Sequence, residues 1–120
     1  MSKPILCLDF DGVCHLYISK WEGSTIIPDP PVDGLYEFLI KSSKYFQIYI
    51  YSSRSDTSEG IESMKSWFNK YYNNIIELLP INFCSKKPPA FVTLDDRAIQ
   101  FNGIWPDVES LINFKPWNKK

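Results

Sequence analysis

Short apolar runs alternate along this chain with segments in which apolar residues recur at helical spacing. Four runs are mostly apolar or aromatic: residues 5–8, 46–51, 81–84 and 91–94. Such runs are typical of strands buried on both faces of a sheet. Over residues 32–43 and 61–71, apolar side chains recur every three or four positions and predict two helices. This alternation, with short connections, indicates an α/β domain with a mainly parallel sheet and right-handed crossovers.

The segments between these elements carry turn and cap signals. Residues 13–30 are irregular and contain a Gly turn, which predicts a small two-stranded flap. Asp56, with a Glu three positions later, is the expected N-cap of the second helix. Residues 98–105 surround an Asn-Gly pair and predict a hairpin with a type I′ turn. A last helix is expected over 107–114, capped by its first residue.

The composition is that of an ordinary soluble protein. The 120 residues are 44% hydrophobic and 22% charged, so we expect one folded domain over residues 1–120 rather than a disordered chain. The formal net charge of −1 gives no field that would hold a long polynucleotide or a membrane surface. Three cysteines show no C-x-x-C spacing, and unpaired thiols are typical of a reducing compartment. The expected location is therefore cytoplasmic.

Reactive side chains are concentrated just after the predicted strands. They are Asp9, Asp11, Ser52, Lys87, Asp95 and Asp96. Strand ends of a parallel sheet meet at one crevice, which is where ligands bind in such folds. Four carboxylates in one crevice repel each other unless a divalent cation neutralises them, and carboxylate oxygens are hard ligands suited to Mg²⁺. The pattern therefore predicts a Mg²⁺-dependent phosphoryl-transfer site.

Each of these residues has a chemical role to offer and a plainer alternative. Asp9 and Asp11 flank one residue, so in extended backbone one carboxylate can attack phosphorus while the other moves a proton. Ser52 and the amides after it can hold a phosphate oxygen, and Lys87 can neutralise the transferring group. Taken singly, the same residues also fit an Asp-Gly turn, a Ser-rich turn, a solvated lysine, and an acidic turn paired with Arg97.

Taken in order, the residues resemble the four motifs of the haloacid dehalogenase (HAD) superfamily of phosphohydrolases. The motifs are Asp9-Phe10-Asp11-Gly12-Val13, the strand that ends at Ser52, Lys87 with Lys86 as the alternative, and Asp95-Asp96. Val13 stands where the family more often has Thr. The resemblance spans essentially the whole chain. It implies a three-layer Rossmann-like fold with a central, mainly parallel five-stranded sheet.

The resemblance also implies a mechanism. Asp9 would be the nucleophile that forms an aspartyl-phosphate, and Asp11 would act first as general acid and then as base. Mg²⁺ would be bound by Asp9, by the backbone carbonyl of Asp11, and by Asp95 or Asp96. Ser52 and the motif-three lysine would hold the phosphoryl oxygens. An acidic residue at position 11 resembles the phosphatase branch of the superfamily rather than the dehalogenase branch.

The spacing of the motifs leaves no room for the cap domain that usually sets specificity in this family. Residues 13–30 hold only the flap, and residues 53–85 are used by one helix and one strand. The implied enzyme is capless, with an open site for a small phosphorylated substrate, a nucleotide or a nucleic-acid end. A second subunit of a homo-oligomer is another way to close such a site.

A weaker resemblance concerns the substrate phosphate. The stretches Ser52-Ser53-Arg54 and Asp95-Asp96-Arg97 are similar to the Ser-x-Arg and Asp-Asp-Arg stretches of the 3′-phosphatase part of polynucleotide kinase-phosphatases. This likeness implies that Ser53, Arg54 and Arg97, together with Ser52 and the two lysines, bind the substrate.

Two other classes of protein fit part of the pattern. A response-regulator receiver also gathers acidic residues, a hydroxyl and a lysine and forms an aspartyl-phosphate, but its acidic pair comes at the first strand and its phosphoacceptor at a later one. A catalytically silent HAD-like binding or scaffold protein would share the fold, but here residues stand at all four motifs. We therefore expect a Mg²⁺-dependent phosphomonoester hydrolase and keep both alternatives.

Overall fold

Four parallel strands form the central sheet in the computed structural model, which describes residues 3–119. They are β1 (Ile5–Leu8), β2 (Gln47–Ile50), β3 (Asn82–Phe83) and β4 (Val92–Leu94), in the spatial order β3-β2-β1-β4. Leu8 lies opposite Ile50 of β2 and Leu94 of β4, so three strands end at the same level. Every pairing is parallel, which confirms the predicted α/β class and parallel sheet.

Four helices and one 3₁₀ turn accompany the strands over the same described residues. They are α1 (Leu35–Ser42), the 3₁₀ turn Ser53–Asp56, α2 (Ser58–Tyr71), α3 (Ile75–Leu78) and α4 (Val108–Ile112). α1 and α2 lie where the apolar spacing predicts helices, whereas α3 was not predicted. The N-cap of α2 is Thr57 rather than Asp56, because the Thr57 hydroxyl accepts the amide N–H of Gly60 at 3.0 Å. None of these helices has the length and hydrophobicity that crossing a bilayer requires.

The core joins the sheet to α1 and α2. Its fully or almost fully buried side chains include Leu6, Leu8, Phe10, Leu39, Ile48, Ile50, Met64, Trp67 and Phe68. Phe10, which separates the two carboxylates of the first motif, packs edge-on against Trp67 with ring centroids 5.0 Å apart. Because aromatic packing of this kind is both apolar and directional, it anchors the loop that follows β1.

The flap, residues 13–30, contains no strand, although two were expected. The β pairing that touches this described segment consists of isolated bridges at His15. Three flap carbonyl groups accept hydrogen bonds from the side chain of Arg54 instead. The buried guanidinium of Arg54 therefore donates to flap carbonyls that, in the predicted two-stranded flap, would accept hydrogen bonds from a neighbouring strand.

The sheet has four strands over residues 3–119 rather than the five expected, and the predicted hairpin over 98–105 is absent there. A type I′ turn needs a positive φ at both central residues. Gly103 has a φ of +96°, but Asn102 does not lie in the positive region. The Asn102 side chain instead accepts the amide N–H of Ile104 at 3.0 Å, a local turn that competes with strand pairing.

Residues 98–115 form an exposed arm. Every residue in this range is exposed, and the hydrogen bonds of its described residues lie within the arm itself. The radius of gyration is 15.0 Å, against about 13.6 Å for a compact domain of this length. The arm therefore projects from the sheet and its core, and the expected last helix is present within it as α4.

Gly60 provides a test of the packing between α2 and the 3₁₀ turn. A Cβ at this position would overlap the carbonyl oxygen of Arg54. We expect Gly60→Ala to lower the free energy of unfolding by about 1–3 kcal/mol, although alanine normally stabilises a helix relative to glycine. Urea unfolding should show the loss. The control Ser66→Ala, at an exposed position of α2, should change stability by less than about 0.5 kcal/mol. A Gly60→Ala protein with the wild-type free energy of unfolding would contradict the close contact between Gly60 and the Arg54 carbonyl.

Candidate active site

Hydrogen bonds beyond the strand ends bring the predicted site residues to one edge of the sheet. The amide N–H of Asp9 donates to the carbonyl of Leu94 at 3.0 Å, which places Asp9 beside Asp95. On the other side, the amide of Tyr51 donates to the carbonyl of Leu8 at 3.1 Å. The residues that follow β1, β2 and β4 therefore meet, as the topology of a parallel sheet requires.

Asp9, Asp95 and Asp96 form an acidic cluster in which carboxylate oxygens lie within 4.8 Å of one another. Burial, followed by the charges of Asp95 and Asp96, raises the pKa of Asp9 to about 8, although a 2.8 Å hydrogen bond from the Phe10 amide lowers it. Burial also raises the pKa of Asp96, and the charge of Asp95 adds to this increase. Without a counter-ion, the cluster therefore favours bound protons over full negative charge at neutral pH.

Gly12 lets the loop after β1 pass directly against this cluster. Its φ is +84°, in the region that favours glycine, and a Cβ there would overlap the Asp96 carboxylate. The Phe10 carbonyl accepts the amides of the three residues from Val13 to His15, so the loop turns tightly. Gly12 is thus needed for a close approach between the first and fourth motifs.

Asp11 belongs to a different network from the acidic cluster. Its Oδ1 lies 2.9 Å from Nδ1 of His15, and Nε of Arg54 lies 3.1 and 3.0 Å from its two carboxylate oxygens. The amide of Asp29 donates to Nε2 of His15, so the ring proton is on Nδ1 and is donated to Asp11. The two carboxylates that were expected to share one pocket therefore have separate hydrogen-bonding partners.

Arg54 is the most deeply placed charge of the site, with 1% of its surface exposed. Its Nη1 donates to the carbonyls of Gly23, Ser24 and Ile26 at 3.0–3.1 Å, and its guanidinium carbon lies 4.6 Å from the ring centre of Trp21. The side chain therefore ties the flap to Asp11. Binding of a substrate by Arg54 stays a prediction, and it would require exchange of one of these bonds.

Ser52 lies at the same sheet edge but is engaged locally. Its side chain is buried, and the hydroxyl accepts the amide N–H of Arg54 at 3.0 Å. The Ser52 amide in turn donates to the hydroxyl of Ser55 at 3.1 Å, so the two serines form a capping box on the 3₁₀ turn. Ser53 is exposed. A phosphate-holding role for Ser52 and Ser53 stays a prediction.

Apart from the buried Arg54, the cationic residues predicted for the site are exposed and are free of ion pairs within residues 3–119: Lys86, Lys87 and Arg97. Lys87 is close enough to Cys7 of β1 to oppose the increase that burial causes in the pKa of the Cys7 thiol. Arg97 follows the acidic cluster, and its amide donates to Oδ1 of Asp95 at 2.8 Å. These side chains are available to an incoming anion.

A C-terminal segment, residues 116–119, packs against the loop after β1, which sequence reasoning did not predict. Nε1 of Trp117 donates to the carbonyl of Gly12 at 2.7 Å. Nδ2 of Asn118 donates to the carbonyls of Leu16 and Tyr17 at 2.9 and 3.2 Å. The contact joins residues 105 positions apart, and no local pattern in the sequence indicates it.

The donors of the acidic cluster fit a Mg²⁺ ion. Three carboxylates offer one oxygen each within a small sphere, and this ion prefers hard oxygen ligands. The raised pKa of Asp9 reflects burial first and then the crowding of like charges, and a divalent cation would reverse the effect of that crowding. Ligation by the Asp11 carbonyl stays a prediction.

Comparison with models of protein families, with curated proteins and with solved structures found no match. The assignment of a function therefore depends on the geometry and chemistry of the residues at the sheet edge.

The acidic cluster predicts opposite pH responses for the metal-free and Mg²⁺-bound protein. The folded pKa of Asp9, about 8, lies above its value of about 3.9 in an unfolded chain, so the folded state binds more protons between these limits. The stabilising contribution of this protonated group is therefore complete below about pH 4 and is lost as the pH rises through about 8. Mg²⁺ should bind more tightly as the pH rises over the same range, with release of protons.

Thermal unfolding between pH 5 and 9, with Mg²⁺ or with a chelator, measures both responses. Asp9→Asn should flatten the pH dependence of the chelated protein, whereas Asp107→Asn in the exposed arm should leave it intact. A chelated protein whose stability increases from pH 5 to 8 would contradict the assignment.

Trp117 predicts a contribution of the C-terminal segment to the stability of the loop. Trp117→Phe keeps an aromatic ring but removes the donor to the Gly12 carbonyl, so the free energy of unfolding should fall by about 0.5–1.5 kcal/mol. The control Tyr45→Phe changes an aromatic side chain that is 65% exposed and should have an effect below about 0.5 kcal/mol. Equal effects of the two substitutions in urea unfolding would show that the Trp117 hydrogen bond contributes nothing.

Proposed function

We propose that this protein is a Mg²⁺-dependent phosphohydrolase of the capless HAD-like type, with a Rossmann-like fold. The observation that carries the proposal is the convergence of Asp9, Asp95 and Asp96 at the carboxyl end of β1. The sequence resemblance supports it, because the same three positions are the acidic residues of the first and fourth motifs. A purely structural role would not require three carboxylates to lie so close together, because their mutual repulsion costs free energy.

In the proposed reaction, a carboxylate oxygen of Asp9 attacks the phosphorus of a phosphomonoester. A bond forms between that oxygen and phosphorus, the ester P–O bond breaks, and the leaving oxygen takes a proton from Asp11. Water then attacks the aspartyl-phosphate while Asp11 accepts its proton, which releases inorganic phosphate. Asp9, Asp95 and Asp96 would hold Mg²⁺, which would offset negative charge on the phosphoryl group.

The hydrogen bonds of Asp11 set a requirement on this mechanism. Arg54 and His15 occupy both of its carboxylate oxygens, so proton transfer to a leaving group requires one of these bonds to be exchanged. The Arg54 side chain also holds the flap. Movement of the flap when substrate enters would therefore be coupled to release of the general acid.

The surroundings of the acidic cluster favour a small phosphorylated substrate or a phosphorylated end. Lys86, Lys87 and Arg97 are exposed, and Arg97 follows the cluster directly, with its amide bonded to Asp95. Their positive charges would neutralise a phosphate group. The net charge of −1 gives no extended basic surface for a long nucleic acid. A nucleotide or the end of a nucleic acid therefore fits better than a continuous strand.

The ion pair between Asp11 and Arg54 also favours a second candidate function. If Asp11 stays bound to Arg54, the protein would form an aspartyl-phosphate at Asp9 and hydrolyse it slowly, as a phosphoacceptor module does. Rapid-quench assays separate the two: a hydrolase turns over many times, whereas a phosphoacceptor gives one acid-stable equivalent per chain.

Asp9→Asn tests the proposal directly. With p-nitrophenyl phosphate and Mg²⁺, this variant should lose at least about a thousandfold in kcat, as expected when the nucleophile is removed. Its fold should be intact, because the amide keeps the size of the side chain and relieves repulsion in the cluster. Asp107→Asn, at an exposed position of the arm, should retain the wild-type rate. A wild-type rate in Asp9→Asn would show that the nucleophile is wrong, and an inactive wild-type protein on every phosphoester tried would favour the scaffold alternative.

A further inference from the structure

The arm, residues 98–115, carries an unusual amount of exposed apolar surface. Trp105 is 84% exposed, Ile112 79%, Ile104 75% and Val108 68%. Ile99, Phe101 and the neighbouring Phe91 are also more than half exposed. An apolar surface of this size marks a contact with another molecule.

The body of the same chain has an apolar groove that the arm does not cover. It has a volume of about 350 Å³ and is lined by the apolar side chains of Leu8, Val13, Val32, Leu35, Phe38 and Leu94, together with Asp33 and Gly34. Phe38 and Leu94 are 40% and 41% exposed. The groove lies where β4, an edge strand with all three residues exposed, meets the start of α1. In α/β proteins both faces of a parallel sheet are normally covered.

We propose that a second copy of this chain covers both surfaces, with the arm of each copy packed in the groove of the other. The two surfaces belong to one chain, so a reciprocal exchange closes a twofold dimer without leaving either exposed. This inference goes beyond the proposed function and does not depend on it.

The size and charge of the arm fit this occupant. Six large apolar side chains of the arm and the neighbouring Phe91, each exposing on the order of 100 Å², supply roughly 700 Å², close to the ~800 Å² that each partner contributes to a standard interface. The arm carries Asp107, Glu109 and Lys115 as its charges. It is therefore nearly neutral and lacks the basic surface that a nucleic acid or an anionic membrane requires, whereas a neutral apolar surface suits another copy.

The dimer would also constrain the candidate site. The arm begins directly after Asp96 and Arg97 and ends next to Trp117, whose indole is bonded to the loop after β1. Packing of the arm on a partner would therefore order the segment that connects these two points.

Sedimentation velocity of the full-length protein from about 1 to 100 μM tests the proposal. The wild type should show a dimer, with twice the monomer mass of 14.0 kDa. Trp105→Glu in the arm should raise the dimer dissociation constant at least about thirtyfold, as loss of a central aromatic anchor does. Tyr45→Glu, at an aromatic position that is 65% exposed and outside both surfaces, should leave the constant unchanged.

A mixing experiment tests the reciprocal arrangement. Phe38→Glu, or Val32→Glu if that variant does not fold, places a charge in the groove and should also weaken the dimer. Mixing it with Trp105→Glu should restore heterodimers, because one intact arm then meets one intact groove. A wild type that is monomeric at all concentrations, or a dimer that resists Trp105→Glu, would overturn the proposal. So would mixtures that form no heterodimer.

Discussion

The arrangement of the site depends on the interactions of the buried Arg54 side chain with Asp11 and with the flap. It connects the loop after β1, through Asp11, to three carbonyls of a flap that has no strand pairing of its own. A buried charge is costly to desolvate, and removal of one partner leaves the other uncompensated, at about 3–5 kcal/mol. The flap and the general-acid candidate are therefore held by one residue, and neither can move without affecting the other. His15, which is fully buried between Asp11 and Asp29, adds a second support to the same loop.

In the acidic cluster, unlike the ion pair of Arg54 with Asp11, the neighbouring groups repel each other. Asp9, Asp95 and Asp96 lie close together although burial and like charge oppose their ionisation. The surrounding fold has to impose this arrangement, and it does so through strand register and through the glycine that lets the Asp96 carboxylate approach the loop. Such local instability is typical of functional sites, where groups are held ready for a ligand rather than for each other.

The strand ends could be predicted because buried parallel strands have a simple signature. Continuous apolar runs located β1, β2 and β4, and parallel topology then placed Asp9, Asp95 and Ser52 at one edge. The direction of individual side chains could not be predicted in this way. The i, i+2 rule for Asp9 and Asp11 assumes extended backbone, but the chain turns sharply at Gly12, and a partner 43 residues away then binds Asp11. The N-cap of α2 is Thr57, one residue after the predicted Asp56, because Asp56 belongs to the 3₁₀ turn that Ser52 and Ser55 cap. The sheet has four strands over residues 3–119 rather than the five expected, and the HAD-like architecture stays a prediction.

The contact between Trp117 and Gly12 has a consequence for the order in which the protein assembles. Closure of a long segment costs chain entropy before any contact repays it, and contacts between distant residues slow folding. The sheet core can form from shorter separations, so the loop that bears Asp9 and Asp11 would reach its final position late on the folding pathway. Refolding would then show a compact, structured species in which the loop after β1 has not yet reached its final arrangement.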